Sequence, residues 1–256
     1  MTTTKEILFL AVETGDALLR NGAEVYRVED TVIHILEAYG VESFDVYVLS
    51  NGIFASANED KEDACSMVRH IPLGSTHLGR IAAINQLSRD ICTHECSLQD
   101  ALHRLEKCKN IPDNRFFSQL FFCGLGCGCF TYLFGGTLPD SVTAFCIGMP
   151  LQAFVVLLRK RKTSKFMVNI LGSALVTLLS LFLHSLHAPI FYDKVIIGDI
   201  MPLVPGIALT TSIRDLFNGD YLSGAIHMID ALLTAFCIAV GVGAIITLYH
   251  MMGGVI

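Results

Sequence analysis

Apolar positions in the first forty residues recur at helical spacing. Between residues 4 and 20 they repeat every three or four positions, and Asn21-Gly22 then supplies a left-handed stop. A second amphipathic pattern runs from about residue 23 to 39 and ends at Gly40. The two segments predict a helical hairpin at the start of the chain.

The next part of the chain changes to a pattern typical of strands. FDVYVLSNGIFASA contains two apolar and aromatic runs joined at Asn51-Gly52, the pair that best tolerates positive φ at both positions of a type I′ turn. ACSMVRHIP offers a third strand, and two more helices are expected at 77–91 and 97–109. Residues 1–113 are therefore predicted to form an α+β soluble domain, which is long enough to bury a small core.

Long apolar runs dominate the chain after NIPDNRFF, where Pro and Asp end the polar part. Five runs approach the roughly 20 residues that a helix needs to cross a bilayer. They lie at about 115–135, 138–158, 165–186, 194–213 and 221–249. Residues 114–256 are therefore predicted to form a polytopic α-helical membrane domain of about five spans, in contact with the lipid bilayer.

Charge separates the two parts and orients the second. Residues 1–114 contain 10 Lys/Arg and 18 Asp/Glu, whereas residues 115–256 contain 8 and 6. Such an acidic first part argues against nucleic-acid binding. The basic loop RKRKTSK lies between the second and third spans, and basic loops stay inside. Since the N-terminus shows no signal-peptide pattern, we expect a multi-pass protein of the cytoplasmic membrane with its first domain in the cytosol.

The fourth apolar run contains residues that interrupt helices. In MPLVPGIALTTSIRDL, Pro202 and Pro205 each remove a backbone donor, so the helix is expected to kink or break near Gly206. Broken membrane helices gather at substrate sites, and a helix restarting after Gly206 would point its positive N-terminus at a carboxylate. The expected substrate path includes Thr210 and Thr211. Arg214 either anchors the helix at the cytosolic surface or attracts an anion.

Polar residues recur at helical spacing inside two other spans. The fifth carries Ser223, His227, Asp230 and Thr234 on one face; the third carries Asn169, Ser173, Thr177, Ser180 and His184. These faces either line a shared path, together with Gln152 of the second span, or hydrogen-bond between helices. Asp230 either couples protons with His227 or lies at the membrane interface, and Asp199 is a third proton-coupling candidate.

Signatures of catalysis and of metal binding are weak. Cys92, His94, Cys96, His103 and Cys108 are poorly spaced for zinc, because Cys92 and Cys96 share a helix face from which His94 points away. The chain has no GxGxxG, P-loop, GxSxG or HExxH pattern. The glycines of FFCGLGCGCF indicate close helix packing. We therefore expect no cofactor, no metal and no enzyme activity.

Three stretches together resemble the threonine/serine exporter family. They are LLRNGAEVYRVEDTV (18–32), SNGIF (50–54) and LVPGIALTTSIRDLFNGDYLSG (203–224), and the similarity extends from about residue 6 to 250. It points to the split form of the family, in which one chain carries the soluble domain and the first half of the membrane region. The motif residues it marks in the soluble domain are Gly22, Glu24, Arg27, Glu29, Asn51 and Gly52. We interpret the charged ones as salt bridges of the hairpin.

The resemblance implies a secondary transporter driven by the proton motive force. Its expected substrates are threonine and serine, or a dicarboxylate such as succinate, and its expected partner is a smaller membrane subunit with four or five spans. Two alternatives remain open at this point. The chain could be a membrane-anchored, hydrolase-like enzyme or a scaffold subunit that does not itself transport.

Overall fold

The computed structural model describes residues 3–58, 64–72, 74, 76–93, 96–113, 115–161, 163–186 and 190–253. The chain forms two compact units. The first contains residues 1–113 together with 211–227, and the second contains 114–210 together with 228–256. The sequence predicts one boundary, between residues 113 and 114, whereas here the short segment 211–227 joins the N-terminal residues in the first unit.

The first unit begins with the expected helical hairpin, α1 (Thr4–Arg20) and α2 (Val25–Ala38). A capping box starts α1, because Thr3 and the side chain of Glu6 each accept the other's backbone N–H. After α1 the chain turns at Gly22, which has a φ of +78°, a backbone conformation that L side chains rarely adopt. The Asn21-Gly22 stop that the sequence predicts is therefore present.

A three-stranded antiparallel sheet follows, with β1 (Phe44–Leu49), β2 (Gly52–Ala57) and β3 (Cys65–His70) in sequential order. The predicted type I′ turn at Asn51-Gly52 is wrong. Leu49 pairs with Gly52, so the turn residues are Ser50 and Asn51, and neither has a positive φ. Gly52 belongs to β2, where an added β-carbon would lie 3.1 Å from the Arg69 carbonyl oxygen, and so close packing against β3 accounts for it.

Two further helices, α3 (Leu78–Cys92) and α4 (Leu98–Lys109), complete the N-terminal part of the first unit. Its hydrophobic core takes side chains from α1 to α4 and from the inner face of the sheet. Leu8, Ile35, Ile53, Leu87 and Leu105 are among its largest fully buried members. The apolar side chains that alternate along β1 and recur at helical spacing in α1 and α2 therefore pack into one common core.

The second unit is built from apolar helices, whose bounds lie close to the predicted spans. They are α5 (Phe116–Leu133), α6 (Leu138–Lys160), α7 (Lys165–Ser185), α8 (Tyr192–Ile200), α9 (Gly206–Phe217) and α10 (Tyr221–Met251), of which α9 and α10 also supply residues 211–227 of the first unit. Within the described residues, four helices are long and apolar enough to cross a membrane, and the bent pair formed by α8 and α9 brings the number to five.

Close packing of α5 on α6 explains the glycines of the first apolar run. A β-carbon on Gly124 would lie 2.6 Å from the Phe145 carbonyl oxygen, and one on Gly128 would lie 2.8 Å from that of Ser141. At both positions the obstacle is backbone, which cannot rotate away. Small residues therefore set the distance between these two helices, as the sequence indicates.

Candidate functional site

The fourth apolar run is broken where its prolines lie. Helix α8 ends at Ile200, a single 3₁₀ turn covers Met201–Leu203, and α9 begins at Gly206. The two helical parts are bent by 58° relative to each other. Pro202 lies in the 3₁₀ turn and Pro205 directly precedes α9, so each occupies a position where a missing N–H is tolerated. The predicted break is confirmed.

The break, residues 201–206, packs against the neighbouring helices through Leu203. A β-carbon added to Gly172 of α7 would lie 3.2 Å from Leu203 and 3.4 Å from Leu151 of α6. Leu203 thus contacts α7 at Gly172, which lies between Asn169 and Ser173 in the sequence. It also lies near Leu151, the residue before Gln152. The structure therefore places the break beside two of the helices that carry predicted path residues.

The polar side of the break is open. Pro202, Gly206 and Thr210 are exposed, and Pro205 and Thr211 are half-buried. Beyond the helix itself, no described residue lies within 4 Å of a β-carbon added to Gly206. The hydroxyl of Thr210 donates to carbonyls of its own helix, at 3.1 Å from Gly206 and 3.0 Å from Ile207. The first turn of α9 is thus exposed on the side of Gly206 and Thr210.

Asp199 lies one residue before the end of α8 and is fully buried. Among the described residues, neither of its carboxylate oxygens has a hydrogen-bond partner. The adjacent Gly198 packs directly on α5, since an added β-carbon would overlap the Thr131 hydroxyl and lie 2.9 Å from the Cys127 carbonyl oxygen. A buried carboxylate without a partner is costly when ionised.

The polar face of α7 is buried, and three of its hydroxyls bond to carbonyls of the same helix. Asn169, Ser173, Thr177 and Ser180 are all buried. The hydroxyls of Ser173, Thr177 and Ser180 donate to the carbonyls four residues earlier, at 2.8 to 2.9 Å. For these three hydroxyls the expectation of bonds between helices is wrong, because the helix's own carbonyls are nearer acceptors.

Gln152 of α6 faces α5, since its amide nitrogen lies 3.4 Å from the side-chain oxygen of Gln119. The two proton-coupling candidates of α10 have different partners. Asp230 lies 2.5 Å from the amine of Lys165 at the start of α7, and His227 lies 3.1 Å from the carboxylate of Asp215. The sequence suggests that Asp230 and His227 act together, whereas here each pairs with a different residue.

In the first unit, the motif around α2 contacts the segment 211–227. Nη1 of Arg214 donates to Oε1 of Glu24 at 2.8 Å, and its guanidinium lies 4.6 Å from the ring centroid of Tyr26. Glu24 also pairs with Arg27 at 3.0 Å. The sequence predicts the Glu24–Arg27 type of bridge within the hairpin, but it treats Arg214 as a membrane anchor or an anion site and misses its contact with Glu24 and Tyr26.

The turn between β1 and β2 contacts the same segment. The backbone N–H of Ser50 donates to the hydroxyl of Ser223 at 3.2 Å, and both residues are buried. Nearby, Glu29 accepts the N–H of Val48 at 3.3 Å, and burial raises the pKa of its carboxyl above the ordinary value. The turn at Ser50 and Asn51 therefore contacts the segment 211–227, while the carbonyl of Asn51 accepts the N–H of Ile71.

The cysteine and histidine residues considered for zinc do not form a cluster in the part of the chain that the structure describes. His94 lies outside the described residues, and Cys92, Cys96 and Cys108 are free thiols. Burial raises the pKa of the Cys108 thiol.

Several apolar helices and a proline-made break define a multi-pass membrane protein of the transporter type. The chain belongs to the threonine/serine exporter family (ThrE), whose match covers residues 10–249. No solved structure matches the chain.

Curated relatives are transport proteins as well. The chain is 23% identical over 254 residues to the "Threonine/serine exporter" of Corynebacterium glutamicum, covering 96% of this chain but 52% of that protein. It is 24% identical to the "Probable succinate transporter subunit YjjP" of Escherichia coli K12, covering 96% of both chains. A Klebsiella aerogenes protein of the same name is 24% identical over 252 residues. The chain thus spans about half the length of the first relative, and the family is one of transporters, not of enzymes.

Proposed function

We propose that the chain is one subunit of an exporter for a small carboxylate, either threonine and serine or a dicarboxylate such as succinate. The observation that carries the proposal is the break at residues 201–206, which leaves the first turn of α9 open beside Gly206 and Thr210. The dipole of a helix favours a negative charge beside its first turn. A carboxylate is the group that both substrate classes share.

Export is driven by the proton motive force in this proposal. Asp199 is the first candidate for the proton-binding group, because it is fully buried and its oxygens lack partners among the described residues. Protonation removes the cost of burying its charge, so the two protonation states favour different conformations of α8 next to the break. His227 and Asp230 are further candidates, and each contacts an oppositely charged side chain, Asp215 for His227 and Lys165 for Asp230.

A second membrane subunit completes the transport path. The chain covers about half of the corynebacterial exporter, and two relatives that it matches over nearly their whole length are named as subunits. The partner would supply a further four or five spans. The complex would lie in the cytoplasmic membrane with residues 1–113 in the cytosol, in agreement with the basic loop that follows Arg159.

Efflux measurements test this function directly. Cells that lack their own exporters would express the chain with and without a candidate partner, and release of radiolabelled threonine, serine and succinate would be followed while the pH gradient is varied. We expect efflux of one substrate class that collapses with a protonophore and requires both subunits. Absence of gradient-dependent efflux for all three substrates in both strains would overturn the proposal.

A further inference from the structure

Two arginines share one carboxylate on the surface of the first unit. The side chain of Glu24 accepts from Arg214 at 2.8 Å through Oε1 and lies 3.0 Å from Arg27 through Oε2. The three charged groups in direct contact carry a net charge of +1. Their side chains remain open to solvent, with exposed fractions of 48% for Arg214, 61% for Arg27 and 27% for Glu24. We call these three residues, with Tyr26, the arginine cluster.

Tyr26 holds both arginines in place without using their charge. Its ring lies under the guanidinium of Arg214, and its hydroxyl accepts from Nε of Arg27 at 2.9 Å. A guanidinium stacked on an aromatic face keeps its orientation when its carboxylate partner leaves. The cluster is therefore preorganised to accept a different carboxylate in the position of Glu24.

The acidic residue that follows Arg214 in the chain is paired with another residue. Asp215 follows Arg214 in the chain, but it is 2% exposed and its carboxylate lies 3.1 Å from His227. Arg214 itself lies on α9, the helix that begins at the break. A solute carboxylate that binds Arg214 is consequently bound to the same helix whose first turn forms the proposed transport site.

We propose that the arginine cluster is a second binding site for the carboxylate of the substrate, in which Glu24 acts as an internal competitor that the substrate displaces from Arg214. The inference rests on the proposed function for the identity of its ligand. It goes further in assigning a recognition role to the N-terminal motif, with Arg214 and Arg27 as ligands, Glu24 as the competitor and Tyr26 as the positioning residue. An Arg–carboxylate pair gives this site its chemical selectivity.

Isothermal titration calorimetry measures binding without transport. The purified full-length protein is titrated with Tyr26 unchanged, because its ring and hydroxyl position both arginines. We expect saturable heat of binding with threonine, serine or succinate, and none with 1-amino-2-propanol, which lacks the carboxylate. Adding Arg214→Gln should raise the dissociation constant at least tenfold, and Arg27→Gln should raise it less.

Removing the competitor should strengthen binding, which a misfolded protein would not do. Glu24→Gln retains both arginines and should lower the dissociation constant severalfold. Arg20→Gln, which removes a pair with Asp16 on α1, is the matched control and should leave the titration unchanged. The inference would be overturned if Arg214→Gln left the dissociation constant unchanged. It would also be overturned if 1-amino-2-propanol gave the same response as the carboxylates.

Transport measurements separate this inference from the proposed function. If carboxylates bind in an Arg214-dependent way but no gradient-driven efflux is found, the site stands and the exporter proposal fails. If efflux occurs and Arg214→Gln leaves its half-saturating cytosolic substrate concentration unchanged, the exporter stands and the site is wrong. In the expected case, Arg214→Gln raises that concentration about tenfold or more, while Glu24→Gln lowers it.

Discussion

Ser173 of α7 and Gly241 of α10 meet at a distance that admits no side chain on the glycine. A β-carbon added to Gly241 would lie 2.1 Å from the Ser173 hydroxyl oxygen and 2.4 Å from the Ile170 carbonyl oxygen. Because one obstacle is backbone, a change of rotamer cannot relieve the overlap. Close packing of α10 thus covers Ser173, whose buried hydroxyl donates to the Asn169 carbonyl of its own helix.

Gly241→Ala should therefore separate α7 from α10 and destabilise the protein by about 1 to 3 kcal/mol, the range for overpacked cores. The measurement is thermal unfolding of the purified protein in detergent. Gly243→Ala is the matched control, since nothing lies within 4 Å of its added β-carbon. Equal unfolding temperatures for the two variants would show that the helices do not pack at Ser173.

Glu13 should make the stability of the first unit depend on acid pH. Burial alone would raise the pKa of its carboxyl, but hydrogen bonds and ion pairs with Lys109 and Arg69, at 2.8 and 2.9 Å, outweigh burial and lower it. A carboxyl whose pKa is lower in the folded state contributes stability above its unfolded pKa of about 4.5. That contribution is lost as the pH falls through the folded value.

Glu13→Gln should cost about 1 to 2 kcal/mol at pH 7, and the difference from the parent should shrink below pH 4.5. Chemical unfolding at several pH values measures both effects. Glu106→Gln is a suitable comparison, because Glu106 pairs with the same Lys109 but is exposed. A cost for Glu13→Gln that does not change with pH would contradict the assignment.

Local pattern predicts the elements of this protein better than it predicts their contacts. Helical spacing indicates α1, α2 and the membrane helices, and Pro202 with Pro205 indicates the break, because both signals depend on neighbouring residues. The pairing of Glu24 with Arg214, 190 positions apart, depends on the tertiary fold. Neither periodicity nor motif spacing contains that information, which is also why Asp215 and Lys165 were missed as partners of His227 and Asp230.

The turn between β1 and β2 shows how a local signal can also mislead. Asn51-Gly52 is the strongest short-range hairpin signal, and the hairpin does form. Its turn is displaced by one residue because Gly52 is needed in β2, where the carbonyl of Arg69 approaches closely. Tertiary packing therefore determines the turn type, although the propensity of the pair identifies the hairpin.

The two prolines of the break should be required for transport of the substrate, but not for insertion of the protein into the membrane. Pro202→Ala combined with Pro205→Ala restores two backbone donors and lets the helix continue through residues 201–206. We expect at least tenfold slower substrate efflux at an unchanged level of protein in the membrane. Pro150→Ala is the comparison for a proline inside a helix, because Pro150 lies within α6 and not in the break itself. Comparable losses for both changes would mean that helix kinks in general, and not this break, support transport.

Asp199 should be the residue that couples efflux to the pH gradient. Asp199→Asn keeps the volume of the side chain but removes proton binding, so we expect gradient-driven efflux to fall at least tenfold while exchange of substrate across the membrane without a gradient persists. Asp193→Asn, on the same helix but 53% exposed, should change neither rate. Asp230→Asn removes the ion pair with Lys165, whose side chain is half-exposed. We expect this change to lower the stability by less than about 1 kcal/mol, as for other surface ion pairs. Measuring driven efflux and exchange in the same vesicles distinguishes these cases, since a variant that loses both has lost the path itself and not its coupling to protons.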